Sequence, residues 1–303
     1  MHSDKIEKIK ELKEREDVLI LAHYYTNDEV QDIADYLGDS YYLNKIARDS
    51  DKQKIVFCGV EFMAESSKVL SEEKTILLPD ITADCPMAKM VIPEDIKNIR
   101  AKYDDLAVVC YINSTLEAKA NSDVIVTSSN ALKIVSKLPN KNIFFIPDEN
   151  LGKYIAKNLP EKNFIFHDGY CHVHTSIEKN KLIEAKKNHR EAKVLSHPEC
   201  RTEILELSDY IGSTSGIIDY AIKSDKKEFI ICTELGILHY LHKKTKGKKF
   251  YSVGHRQFCP SMKKISLDNI INSLENNIYD ITVDRDLAEN AARALMKMHE
   301  LAI

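Results

Sequence analysis

Three cysteines constrain this chain more than any other feature: Cys85, Cys171 and Cys259 stand 86 and 88 residues apart, each after an apolar, strand-like run and a turn. Their surroundings read Cys85-Pro86-Met87, Gly169-Tyr170-Cys171-His172-Val173-His174 and Cys259-Pro260-Ser261-Met262. Other landmarks keep the same step. His23 to Asp35, Tyr111 to Asp123 and His197 to Asp209 span 12 residues each, and those aspartates precede Ser40, Ser128 and Thr214 by 5. From His23, Tyr111 and His197 to the three cysteines is 62, 60 and 62 residues. Any α/β chain alternates strands and helices, but equal offsets at three landmarks argue for one unit of about 85 residues repeated three times.

The pattern inside each unit predicts its elements. In the first, residues 3–16 place Ile6, Ile9 and Leu12 on one helical face, and 18–22 read as a buried parallel strand. Thr26-Asn27-Asp28-Glu29 offers a capping box for a helix carrying Val30, Ile33, Ala34 and Leu37 and closed by Gly38, and Asp39-Ser40 opens a second helix. Strand 54–59, a helix near 62–70 and strand 75–78 follow. The second unit repeats this with strands at 106–110, 122–128, 142–146 and 163–166, and the third with 192–196, 208–214, 228–232 and 249–253. The predicted class is therefore α/β: three pseudo-three-fold-related αβα domains, 1–87, 88–174 and 175–263, each with a small, mainly parallel four-stranded sheet. One such unit buries little surface alone, so the three are expected to pack about a shared axis with the active site at their central junction. The tail, 264–303, reads as two helices around a short strand at 279–283, packing back on the first unit.

A net charge of -4, with acids and bases interspersed, argues against nucleic acid as a main partner, and the lysine-rich run 243–249 reads as a solvated loop. No apolar run approaches the roughly 20 residues that span a bilayer. Met1-His2-Ser3-Asp4-Lys5 has no apolar leader core. Seven scattered cysteines without a Cys-x-x-Cys pair suit a reducing compartment. A soluble, cytoplasmic protein without a membrane partner is expected, and any metal site must be assembled from distant segments.

In parallel α/β units, ligands bind beyond the carboxyl ends of the strands. There the first strands deliver His23 and Tyr25, Tyr111 and Asn113, then His197 and Glu199, and the last strands deliver the three cysteines. The second helices are expected to begin at Ser40, Ser128 and Ser213-Thr214, where free backbone N–H groups suit carboxylate or phosphate. Three converging thiolates suggest a 4Fe-4S cluster with one iron lacking a protein ligand, an open Lewis acid, since zinc sites with three cysteines normally recruit a histidine. Taken singly, His23 reads as a residue closing a strand, Tyr25 and Tyr111 as packing residues, and Cys58, Cys110, Cys200 and Cys232 as small buried hydrophobes. Glu199, after Pro198, has the stronger case, because a carboxylate is seldom placed inside without a partner or a task. His172 and His174 stay open between substrate and solvent.

Taken together, Ala22-His23-x-Tyr25, Gly38-Asp39-Ser40, Cys85-Pro86-Met87-Ala88, Tyr111-x-Asn113-Ser114, Thr127-Ser128-x-Asn130, His197-Pro198-Glu199-Cys200, Gly212-Ser213-Thr214 and Cys259-x-x-Met262-Lys263 resemble the iron-sulfur quinolinate synthase family. The resemblance runs from about residue 17 to the C-terminal helix. It implies a transferase that condenses iminoaspartate with dihydroxyacetone phosphate to quinolinate in NAD biosynthesis. It also implies a 4Fe-4S cluster on Cys85, Cys171 and Cys259 and functional coupling to the enzyme supplying iminoaspartate. On the same resemblance His23, Ser40, Tyr111, Asn113, Ser128, His197, Glu199, Ser213 and Thr214 look like substrate contacts. Tyr25, Tyr111 and Glu199, with His23, His197 and His174, look like the acid/base and positioning set. The chain departs from the family at Tyr170 and His172, where His-Cys-Pro-Val-His is usual, and at Tyr24, where Asn is usual. Two other readings of the residues stand beside this one: a zinc-dependent hydrolase built on His, Cys and Glu, and a redox sensor that carries a cluster without turnover.

Overall fold

The apolar runs that open each unit become the central strands of three sheets in the computed structural model, which describes residues 2–303. The first sheet comprises β1 (Val18–His23), β2 (Tyr36–Gly38), β3 (Lys54–Cys58) and β4 (Thr75–Leu77); the second β5 (Leu106–Tyr111), β6 (Val124–Val126), β7 (Asn142–Ile146) and β8 (Asn163–Phe166). The third comprises β9 (Lys193–Ser196), β10 (Tyr210–Ile211), β11 (Glu228–Cys232) and β12 (Lys249–Ser252). Their orders are β2-β1-β3-β4, β6-β5-β7-β8 and β10-β9-β11-β12, and every ladder is parallel. All residues of β1 and β5 are buried. That is why they read as continuous apolar runs: a strand covered on both faces shows no alternation.

The aspartates that kept register in the sequence do the same work three times. The carboxylates of Asp35, Asp123 and Asp209 accept from the backbone N–H of Ile20, Val108 and Val194 at 2.8, 2.7 and 2.9 Å. Their own N–H groups donate back to the carbonyls of the same residues. Each aspartate thereby docks the start of the second strand onto the first, and Lys13, Arg100 or Lys193 pairs with it from outside. A second three-fold set was not anticipated. Lys74, Lys162 and Lys248 each donate to carbonyls at or just beyond the end of the helix that follows the second strand of their unit, Lys74 to Ala47, Arg48 and Ser50, Lys162 to Leu138 and Asn140, Lys248 to Ala221, Ile222 and Ser224. A cation there satisfies carbonyls that have no helical partner.

Several local expectations are corrected. The helix after β1 runs only Asp28–Ile33, its N-cap is Asn27 without a side-chain cap, and Tyr36–Gly38 is strand β2 instead of a helix end. A three-residue strand held by Asp35 shows too short a pattern for periodicity to reveal. The lysine-rich run is not a loop: it is the end of helix Ile237–Lys244, a tight turn and the start of β12. In the tail, Tyr279 and Ile281 pair antiparallel with Leu78 and Ile76 as a single bridge instead of a full strand. Helix Leu267–Asn276 packs on His2–Glu16, whereas helix Arg285–Leu301 spans Glu61–Leu70 of the first unit and Leu116–Ala120, Ala131–Lys137 and β6 of the second. The tail therefore straps two units together.

One core cluster runs from Ile9 to Met298 through all three sheets, and a smaller one lies under β9 and β11 around Val194, Ile204 and Ile230. The central junction is closed by direct pins. Gln31 Nε2 donates to the carbonyls of Tyr24, Thr26 and Gly236, and buried Lys119 donates to the Phe62 carbonyl and the Ser66 hydroxyl. A β-carbon at Gly236 would meet the Tyr24 carbonyl oxygen at 2.7 Å, so only glycine lets the third unit approach the first this closely. No helix among the described residues is long and apolar enough to cross a membrane.

Candidate active site

A single cavity opens where the carboxyl ends of the three sheets meet. His23, Tyr111 and His197 reach it from or beside the ends of β1, β5 and β9, with Tyr25, Asn113 and Glu199 two residues further on. Cys85, Cys171 and Cys259 line the same cavity from the loops after β4, β8 and β12, together with Ser40, Ser128, His174 and Thr214. Of the residues expected at the site, Ser213 stands apart: it is the N-cap of helix Thr214–Lys223, and its hydroxyl accepts from Gly216 N–H at 3.1 Å. Ser40 does begin helix Ser40–Asp49, capped by Asp39. Ser128, expected to begin a helix, lies in the turn before helix Ala131–Lys137, because the Asn130 side chain folds back to accept from Thr127 N–H at 2.7 Å. The two open histidines separate: His174 is buried and His172 exposed.

A continuous hydrogen-bonded chain runs through the wall. Tyr25 Oη is 2.7 Å from Thr214 Oγ1 and 3.0 Å from Thr233 Oγ1. Thr233 Oγ1 is 3.0 Å from His174 Nε2. On its other side His174 Nδ1 lies 3.1 Å from Glu199 Oε2, which is 3.0 Å from His197 Nδ1. The His174 and His197 rings stack with centroids 4.5 Å apart. The chain joins residues of all three units, and its middle link, fully buried Thr233, was missed in the sequence. It follows β11 directly, and third-strand ends carried no motif; their register against the cysteines was the signal available.

Burial sets the protonation states. It drives the phenols of Tyr25 and Tyr111 well above their ordinary value, so both are neutral O–H groups. Burial and the neighbouring His197 lower His23 to about 3, and burial with the His174 beside it lowers His197. Burial alone would raise Glu199, but His174 and His197 outweigh it and hold its carboxyl below the usual range. Glu199 is thus the anionic centre of the chain. Its Oε1, and Asn113 Oδ1, are buried without a hydrogen-bond partner. Unmet acceptors in a cavity wall are groups that await a donor from a ligand.

The cysteine loops are anchored by carboxylates that also went unnoticed. Asp148 and Glu234, two residues beyond β7 and β11, accept from the N–H of Cys171 and Cys259, each at 3.1 Å; Asp84 does so for Cys85 at 2.7 Å. Asp148 also caps helix Glu149–Asn158, and Glu234 accepts from Gly236 N–H at 2.6 Å. A β-carbon at Gly169 would stand 2.5 Å from the Pro147 carbonyl oxygen, so the glycine lets the Cys171 loop lie against the end of β7. The chain's other four cysteines are fully buried in the cores, whereas these three are partly accessible on the cavity. Burial pushes the Cys85 thiol up to about 12 and raises Cys171 and Cys259 too. Thiols so disfavoured as lone thiolates fit a site whose charge is balanced by bound metal.

Buried acid/base groups, unmet acceptors and three thiols around one cavity define an enzyme site with the donors to hold a metal cofactor. The family model of the quinolinate synthetase A protein, NadA, matches residues 7–300. The chain is 50% identical over 302 residues to a quinolinate synthase of Clostridioides difficile strain 630, covering 100% of this chain and 99% of the relative. It is 51% identical over 296 residues to one of Fusobacterium nucleatum (98% and 99% covered) and 50% over 301 residues to one of Caldicellulosiruptor saccharolyticus (98% and 99% covered). The chain belongs to the quinolinate synthetase A family and is an enzyme of that type.

Proposed function

We propose that the chain condenses iminoaspartate with dihydroxyacetone phosphate and closes the product to quinolinate, with loss of phosphate and water, as the ring-forming step of NAD biosynthesis. Cys85, Cys171 and Cys259 hold a 4Fe-4S cluster in this reading. The observation that carries it is the meeting, on one cavity, of three repeat-equivalent thiols with the hydrogen-bonded chain from Thr214 to His197. When bound, the cluster supplies an iron with an open coordination position, a Lewis acid for a hydroxyl or carboxylate.

The protein's own groups supply the rest. Ser40 and Thr214, at the starts of their helices, present hydroxyls and free N–H groups to the carboxylates and phosphate of the substrates. Tyr111, Asn113, Ser128, His23 and His197 orient them, and the unpartnered Asn113 Oδ1 accepts from the imine nitrogen. Ring formation removes protons from carbon and expels hydroxyl, so it needs a base and an acid in reach. Ionised Glu199 takes the proton; the neutral Tyr25 hydroxyl, joined to His174 through Thr233, returns one to the leaving oxygen. The reading places the reaction in the cytoplasm, where thiols stay reduced, beside the enzyme that releases iminoaspartate.

The test uses protein purified without oxygen: iron, acid-labile sulfide and quinolinate formed from the two substrates are measured together. Iron and sulfide with product are expected. Stoichiometric zinc without sulfide overturns the cluster assignment, and a full cluster without product favours a sensor.

A further inference from the structure

Cys171, His174 and Glu199 make a second grouping, which shares only Cys171 with the proposed cluster ligands. Each offers one ligand atom, and the three atoms lie within 4.8 Å of one another. His174 Nδ1 is 3.2 Å from Cys171 Sγ and 3.1 Å from Glu199 Oε2. Around a tetrahedral zinc ion, with sulfur at about 2.3 Å and nitrogen or oxygen at about 2.0–2.2 Å, the sulfur–nitrogen edge is about 3.6 Å and the nitrogen–oxygen edge about 3.4 Å. The two measured edges fall short of these by only a few tenths of an ångström, and the third, from sulfur to carboxylate oxygen, lies within 4.8 Å.

The donor set and its supports point the same way. Thiolate, imidazole and one carboxylate suit zinc, whereas magnesium and calcium take oxygen. Outer contacts already hold two of the donors: His174 Nε2 meets Thr233 Oγ1 at 3.0 Å, and Glu199 Oε2 meets His197 Nδ1 at 3.0 Å. Such supports fix ring and carboxylate orientation in metal sites. Independently, Glu199 Oε1 is buried with no partner, an acceptor that an ion beside the carboxylate would satisfy.

We propose that the chain, when it carries no cluster, binds one zinc-class divalent ion on Cys171 Sγ, His174 Nδ1 and a Glu199 carboxylate oxygen, releasing the thiol proton to solvent. Ion and cluster exclude each other, because both need the Cys171 thiolate. The ion site stands on its own geometry; only the exclusion rests on the reading of Cys171 as a cluster ligand.

Cobalt(II), a coloured stand-in for zinc, tests this in protein stripped of iron by an anaerobic chelator. One cobalt per chain is expected, with near-ultraviolet thiolate-to-cobalt absorption of a single thiolate, lost on adding equimolar zinc. Cys171→Ser abolishes that absorption, and His174→Ala or Glu199→Ala weakens binding by more than about 100-fold, beyond the loss of a mere outer-shell support. The Cys85→Ser/Cys259→Ser double variant keeps the absorption, and circular dichroism matched to wild type shows that each variant is folded. No cobalt in the wild type, an absorption that survives Cys171→Ser, or one lost in the double variant overturns the site. Cluster-loaded protein is expected to take up no cobalt until iron and sulfide are released; cobalt bound beside a full cluster overturns the exclusion. A chain that binds cobalt this way but never takes up iron and sulfide keeps the ion site and refutes the cluster.

Discussion

Thr233→Val isolates the link that no motif announced. Valine matches threonine in shape, so the packing around this fully buried position is kept while the hydroxyl is removed. Tyr25 retains Thr214 at 2.7 Å, but His174 Nε2 loses the Thr233 hydroxyl at 3.0 Å and is left unmet in a dry wall. One orphaned buried polar group costs about 1–3 kcal/mol. If that cost falls on the transition state, where the proton passes between Glu199 and Tyr25, kcat drops roughly 5- to 150-fold. Since the hydroxyl lies behind the cavity wall and does not line it, KM is expected to stay within about twofold. Thr233→Ser, which restores a hydroxyl, returns most of kcat. The assay is steady-state quinolinate formation by anaerobic protein whose iron and sulfide contents match wild type. Wild-type kcat in the valine variant, or serine no better than valine, refutes the relay.

Other perturbations follow from the same geometry. Cys171→Ala is expected to lose cluster and activity together, whereas Glu199→Gln keeps iron and sulfide and loses turnover; full iron in the cysteine variant contradicts the ligand assignment. Asp123→Ala removes Oδ2, the one oxygen to which both Val108 N–H and Arg100 donate, and leaves the buried Val108 N–H unmet; it is expected to lower unfolding stability in urea by about 1–3 kcal/mol, with no loss counting against the clamp. Gly169→Ala forces its new β-carbon against the Pro147 carbonyl and should displace the Cys171 loop, lowering bound iron per chain while the far-ultraviolet spectrum is unchanged. His23 ionises at about 3 when folded and 6.5 ordinarily, so between these values the unfolded chain holds the extra proton and stability rises with pH. Each unit of acidification below 6.5 should remove about 1.4 kcal/mol through this group, and the His23→Gln variant should show a correspondingly flatter denaturation profile across that window.

Local order was legible in the sequence wherever one strand end or turn carried it. Residues at first-strand ends, His23, Tyr111 and His197, and the cysteines after last strands repeat at near-equal spacing, and spacing along a chain is preserved by any fold. So the three-fold α/β architecture could be named beforehand, and with it much of the polar lining of the cavity at its junction, though not Asp39, Thr127 and Glu234 or the apolar Val60 and Phe62. β2 could not, because three residues pinned by an aspartate carry no periodicity. Nor could the tail's last helix, whose apolar stripe, with Ala291, Ala294 and Leu295, states that it packs but not on which unit.

Contacts between units were decided only by the tertiary structure. Thr233, Asp148 and Glu234 follow the third strands, where each looks like an ordinary turn residue; their partners lie 208, 23 and 25 positions away. The bond from Thr233 to Tyr25 depends on how the three sheets are set about one axis, and those of Asp148 and Glu234 on how the last loop of each unit folds back within that unit, neither of which a local pattern encodes. The repeat therefore determined which side chains face the centre. The packing of the units decided which of them touch: Glu199 held ionised between two histidines, Tyr25 joined to His174 through Thr233, and Ser213 turned away to cap its own helix.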